Sequence, residues 1–206
     1  SKPRVKQSEV YAQIISDLEF AVTNLNGFAR SKKGMIDKYV AEGLLAYTYA
    51  AMGDNQKVAQ LAQDIINNSG YPLTSREQTV YDATTKKGGG FNDVETKSWM
   101  WGVDLITENN FTLDSWWGMM DVYTYSYAWA GDAKAMDDKL YSQIRTNDIR
   151  KKQFDGDLLP SNKFFAPDRV IGGQRKVTTD YVYMRVDEFY LLAAEALAKL
   201  GQDAQA

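Results

Sequence analysis

All five tryptophans of this 206-residue chain fall between Trp99 and Trp129. They are Trp99, Trp101, Trp116, Trp117 and Trp129, and Phe111, Tyr123, Tyr125 and Tyr127 share their window. That makes nine aromatic residues in 31 positions, more than twice the 13% of the whole chain. Trp and Tyr give large rigid contact area with a polar handle. A sugar ring presents apolar C–H faces that stack on such rings, while its hydroxyls need polar partners. Asp114, Asp121, Asn109 and Asn110 stand in the window to supply them. The candidate ligand contacts are therefore Trp99, Trp101, Trp116, Trp117, Tyr123, Tyr125, Tyr127, Trp129, Asp114 and Asp121. Core packing is the competing reading for any single ring. Tyr123-Thr124-Tyr125-Ser126-Tyr127 alternates with period two, as a half-buried strand would, and so does Trp99-Met100-Trp101.

Much other chemistry is excluded. The chain has no cysteine, which rules out disulfides, thiol catalysis and thiolate metal sites within it. It has no histidine, so the commonest general base and metal ligand is missing, and Ser-His-Asp or Cys-His chemistry with it. The net charge is -3, which argues against nucleic acid as a partner. The basic run Arg150-Lys151-Lys152 is short, is flanked by Asp148 and Asp155, and reads as solvated surface. Gly88-Gly89-Gly90 lacks the Gly-Lys-Ser/Thr of a phosphate loop and reads as a flexible loop. Asp132, Asp137 and Asp138 fit no EF-hand spacing. No metal and no cofactor is expected. No apolar run approaches the ~20 residues of a membrane helix. No signal peptide is visible at Ser1-Lys2-Pro3, so an export signal, if there is one, lies outside these residues.

The elements that must position the aromatic window are helical. Val10, Ile14, Leu18, Val22 and Leu25 recur at three- and four-residue spacing after Ser8, a candidate N-cap, and Asn26-Gly27 ends the run. Asp37 is placed to cap a second helix over Lys38–Met52. Gly53-Asp54-Asn55 turns the chain into a third, Gln56–Asn68, which stops at Ser69-Gly70 and Pro72. From Tyr71 to Val177 no helical period is sustained, apart from a short helix near Ala135–Ile144. Loops of this length, when ordered, tend to be functional. A last amphipathic helix runs from Val186 to Leu200 and ends at Gly201.

A repeat links the two helical parts. Aligning Gly201 with Gly53 places Leu192 on Leu44, Ala194 on Ala46 and Ala198 on Ala50. An Ala-rich helix, a Gly turn and a new helical start is the pattern of TPR-like helical hairpins, with small residues where the helices cross. The second copy has no partner helix, which leaves Leu191, Leu192 and Leu197 without a repeat mate. The fold class expected is mainly α: TPR-like helical hairpins in an α-α superhelix, with a long loop-rich insertion containing short strands and helices. One domain, incomplete at both ends, is expected: helices over 8–70, a loop-rich ligand-binding region over 71–180 and a truncated last helix over 181–206.

The segment Tyr183-Met184-Arg185-Val186-Asp187-Glu188-Phe189-Tyr190-Leu191-Leu192-Ala193-Ala194-Glu195-Ala196 resembles the Arg-x-x-Glu-hydrophobic-Tyr-Leu-x-x-Ala-Glu-Ala signature of the SusD/RagB family. Leu140-Tyr141 and Asn147–Phe154 resemble a second landmark of that family, and the order of elements matches. The resemblance implies a non-catalytic nutrient-binding lipoprotein on the outer face of the outer membrane. It would be anchored by a lipid attached outside this chain. It would capture oligosaccharides, or similar nutrients, for a TonB-dependent transporter of the SusC type. Arg185, Glu188 and Glu195 belong to the signature and read as structural, with Arg185 and Glu188 close enough to pair. Two rival functions remain open. One is a TPR-like scaffold that binds a peptide. The other is a glycoside hydrolase using Asp114 and Asp121 as its two carboxylates.

Overall fold

The computed structural model describes residues 4–206, so Ser1-Lys2-Pro3 lie outside the described residues. The chain divides into two compact units. The first holds the residues up to Leu73, Lys97–Trp101 and everything from Tyr183 onward. The second holds Thr74–Thr96 and Gly102–Val182.

The first unit is helical. Its helices are α1 (Gln7–Asn24), α2 (Lys38–Met52), α3 (Asn55–Asn68) and a later one, Val186–Lys199. Asp37 caps α2 by accepting from the Val40 N–H at 2.9 Å, as its position before the apolar run predicts. Gly53, at φ 80°, closes α2, and Asp54 at once caps α3 through the Lys57 N–H at 3.1 Å. This two-residue link makes α2 and α3 a hairpin. The start of α1 differs from expectation. Its cap is Lys6, in extended backbone and without a side-chain bond, and Ser8 lies inside the helix.

Contacts run from α1 to α2, from α2 to α3, and from α3 to Val186–Lys199. Val40, Ala46, Ala62, Ile65, Phe189 and Ala193 form one buried cluster, with Met100 and Met184 from the neighbouring segments. The repeat positions behave alike in part. Leu44 and Leu192 are both half-buried against this cluster, and Ala50 and Ala198 are both exposed, but Ala46 is sealed while Ala194 is only half-buried. The last helix is less bare than its sequence implies. Leu197 is buried against Leu45, Tyr49 and Val58, so of the three leucines only Leu191 stands out in solvent.

Arg30 ties the loop after α1 to this frame. Its guanidinium pairs with Asp37 at 2.9 Å and donates to the carbonyls of Met35 and Met100 and to the Tyr71 hydroxyl. In the signature, Glu188 accepts from the Arg185 backbone N–H at 3.2 Å and from the Tyr47 hydroxyl, and the Arg185 guanidinium pairs with Asp187. Glu188 thus staples α2 to the start of the last helix. Burial beside that carboxylate pushes the Tyr47 phenol above its ordinary range.

Glu42 sits on α2 with only 4% of its surface exposed, and Lys38 reaches it at 3.2 Å. Burial pushes its carboxyl up to about 7 from an ordinary 4.5, against the pull of Lys38. The folded state therefore holds this proton at higher pH than the unfolded chain does. Stability from this group is complete below about 4.5 and is lost as pH rises through 7, by ~2–3 kcal/mol. Glu42→Gln should flatten that slope. Urea midpoints at pH 4.5 and 7.5 for both proteins measure it, and parallel slopes would refute it.

The second unit carries the short elements α4 (Arg76–Thr79), α5 (Trp116–Met120) and α6 (Asp138–Gln143). Single 3-10 turns at Thr107–Asn109 and Ile149–Gln153 and a π turn at Ala128–Asp132 complete it. Strands β1 (Trp99–Val103) and β2 (Tyr181–Arg185) pair as a two-stranded sheet, and β2 runs directly into the last helix, α7 (Val186–Lys199). The expected strand over Tyr123–Tyr127 is not formed, although Thr124 makes a parallel bridge to Gln174. The three glycines at 88–90 are not a loose loop. A Cβ on Gly88 would collide with the Val80 carbonyl, and one on Gly89 with the Phe165 ring, so backbone and ring close in where only glycine fits.

Candidate functional site

The aromatic window splits. Trp99 and Trp101 lie on β1, where Trp99 is fully buried and Trp101 meets the Tyr183 ring edge-on at 5.0 Å. In the second unit, α5 starts at Ser115, whose hydroxyl accepts from the Gly118 N–H at 3.0 Å. Successive residues of a helix point about 100° apart. Trp117 is thus turned into a core with Leu105 and Val177, 1% exposed, while Trp116 keeps 43% of its surface in solvent. Trp116 rests edge-on against Phe164 at 4.8 Å.

Asp121 is also interior. It has no exposed surface, and its carboxylate accepts from the Tyr123 N–H at 2.9 Å, the Thr124 hydroxyl at 2.8 Å and the Ala166 N–H at 2.8 Å. Burial pushes its carboxyl up to about 6 against the pull of these donors. Trp99, Trp117 and Asp121 are therefore corrected from ligand contacts to framework. Asp121 has no face left for a sugar, which also removes one of the two carboxylates a hydrolase would need. Asp114 is exposed, with Tyr127 Oη donating to it at 3.4 Å.

The role of Asp121 is to shape the segment after it. Gly172 N–H donates to the Val122 carbonyl, Gln174 N–H to that of Tyr123, and Tyr125 N–H to that of Gln174, each at 3.0 Å. The segments 122–125 and 172–174 thus run side by side. Thr124 and Ser126 point inward, and Tyr125, Tyr127 and Trp129 outward, 36%, 41% and 43% exposed. Tyr125 and Trp129 pack ring to ring at 4.6 Å, and the Arg175 guanidinium lies over Tyr125 at 3.7 Å from its centroid. Trp129 lies so close to Gly172 that a Cβ there would come within 2.6 Å of the indole nitrogen.

Beside this face opens a cleft of about 630 Å³, whose lining combines Tyr123, Asp168, Gln174 and Lys176 with Ala166 and Val170. Tyr123 is held at its edge by Arg169, which donates to the hydroxyl at 2.7 Å and stacks over the rings of Tyr81, Tyr123 and Phe165. Exposed rings, a cation and a cleft of mixed polar and apolar lining make a surface able to stack on a ring while bonding its hydroxyls.

No protein-family model matches the chain. A SusD-like protein of Bacteroides ovatus is 31% identical over 91 residues, 39% of this chain and 16% of that protein. SusD-like protein P2 of Formosa agariphila is 25% identical over 226 aligned positions, 96% of this chain and 44% of that protein. The crystal structure of a SusD-like carbohydrate binding protein from Bacteroides vulgatus superposes with a TM-score of 0.69 at 25% identity, over 98% of this chain and 42% of that one. The chain is similar to SusD-like proteins in both sequence and fold. It spans less than half the length of each of these relatives. The helical hairpin frame with a loop-rich insertion is accordingly the SusD-like fold.

The aromatic enrichment gives no hint of Arg175, Gln174, Arg169 or Phe164. Gly172-Gly173-Gln174-Arg175-Lys176 carries only a weak signal, being small and polar residues with no apolar period. That it pairs with 122–125 is a long-range fact no local pattern encodes.

Proposed function

We propose that this chain is the ligand-capturing part of a cell-surface glycan-binding protein, with no catalytic role. The observation that carries the proposal is the outward Tyr125–Trp129 pair under Arg175, beside the Tyr123 cleft. The relative from Bacteroides vulgatus, named a carbohydrate binding protein, supports it. A saccharide ring stacks on Trp129 and Tyr125, and Trp116 and Tyr127 offer further exposed rings. Arg175, Asp114, Gln174 and Lys176 meet the hydroxyls. In the whole protein a lipid anchor holds this frame on the outer membrane, and captured oligosaccharides pass to a SusC-like TonB-dependent transporter.

The test is retention in affinity gels loaded with plant and algal polysaccharides. Trp129→Ala and Tyr125→Ala should each weaken retention of the bound glycan about tenfold, the worth of one well-placed aromatic contact. Leu191→Ala, on an exposed stretch of α7, should leave retention unchanged. Equal retention by wild type and both ring variants would overturn the assignment.

A further inference from the structure

The second unit has another concave site, built from residues other than those of the aromatic face. The turn from α6 to the 3-10 segment Ile149–Gln153 opens two clefts, of about 600 and 470 Å³, which share Arg145, Asp148 and Arg150. The larger has an apolar side that includes Leu140 and Phe154. The smaller adds Arg76, from the start of α4. Three guanidiniums therefore border these two adjoining clefts, and Asp148 is the one carboxylate among their lining residues.

That carboxylate is already engaged. Asp148 takes Arg150 in a two-pronged pair, with Nε at 3.0 Å and Nη2 at 2.6 Å, and accepts from the Arg150 N–H at 2.9 Å. This pairing holds the Asp148 carboxyl down at about 2. Among the described residues, Arg76 and Arg145 form no ion pair, and neither guanidinium has a hydrogen-bond partner. Arg145 borders both clefts and Arg76 the smaller one, with these donors uncommitted, and the adjoining larger cleft offers apolar surface on which a ring can lie. Guanidinium forks match the oxygens of a carboxylate or sulfate in pairs.

We propose that these two adjoining clefts together form a second saccharide subsite that selects acidic sugars. Arg76 and Arg145 grip a uronate carboxylate or a sulfate ester, and Leu140 and Phe154 carry the ring that bears it. The proposal rests on the glycan-binding reading above and names its substrate class. A polysaccharide carrying regular negative charges would then span both subsites, one through ring stacking and one through ion pairing.

The experiment compares three ligands: an oligogalacturonate, a sulfated galactan oligosaccharide and a neutral malto-oligosaccharide. Each is titrated calorimetrically into wild type, Arg76→Ala/Arg145→Ala and Trp129→Ala. At least one acidic ligand should bind wild type and lose about tenfold in the double arginine variant. Its affinity should fall as sodium chloride rises, because paired charges are screened. Whether carboxylate or sulfate is the better ligand decides which anion the forks accept. Acidic binding unchanged in the double variant overturns the subsite while leaving the aromatic face standing. So does binding of the neutral ligand alone. No binding of any saccharide overturns both.

Discussion

Asp121→Ala is expected to destabilise the second unit by ~3–4 kcal/mol. The carboxylate is sealed from solvent and satisfies the Tyr123 and Ala166 N–H groups and the Thr124 hydroxyl. Alanine leaves all three donors without an acceptor in a dry interior, where each costs about 1 kcal/mol or more. Asp121→Asn keeps one carbonyl oxygen in place and should lose about half as much. Urea unfolding followed by tryptophan emission measures this, since Trp117 is sealed in the same unit. Saccharide binding should fall in step, because Asp121 shapes the turn that turns Tyr125 outward. A loss under 1 kcal/mol for Asp121→Ala would mean that water already reaches the carboxylate. Asp121 would then have to be reconsidered as a ligand contact.

The same carboxylate shows why the helical frame is readable in the sequence and the site only in part. Helix α2 is announced locally, by Asp37 before an apolar run and by Gly53 after it, and the backbone obeys both signals. The aromatic window is announced only by enrichment, which says that rings gather but not which way each points. Trp116 and Trp117 are adjacent in sequence and opposite in fate, because the phase of α5 is set by Phe164, Val177 and Leu105, distant along the chain. The alternation in Tyr123–Tyr127 is real, but its polarity is the reverse of what apolarity suggests. Thr124 and Ser126 are the buried residues, since their hydroxyls have partners inside, at Asp121 and at the Leu113 carbonyl. Periodicity ranks residues by apolarity, and here hydrogen bonding outranks it.

The frame has a comparable hidden constraint at Gly43, where an added Cβ would lie 2.6 Å from the Phe189 ring and 2.7 Å from the Met184 sulfur. Phe189 and Met184 are completely buried, and Phe189 stacks on Tyr47 at 5.5 Å between centroids. Phe189→Ala should therefore cost ~3–5 kcal/mol, the usual loss on emptying an aromatic site in a packed core. Gly43→Ala should cost ~1–3 kcal/mol through overpacking, although alanine is the better helix former by about 1 kcal/mol. The two losses should not add. With the ring gone, the methyl at position 43 occupies part of the space it vacates, so the double variant should recover ~1–2 kcal/mol relative to the sum. Chemical denaturation of the four proteins closes the cycle. A Gly43→Ala variant as stable as wild type, or additivity within about 0.5 kcal/mol, would show that α2 and α7 do not approach as closely as this packing requires. The signature segment that carries Phe189 would then need another reason for its pattern than holding the last helix against the hairpin.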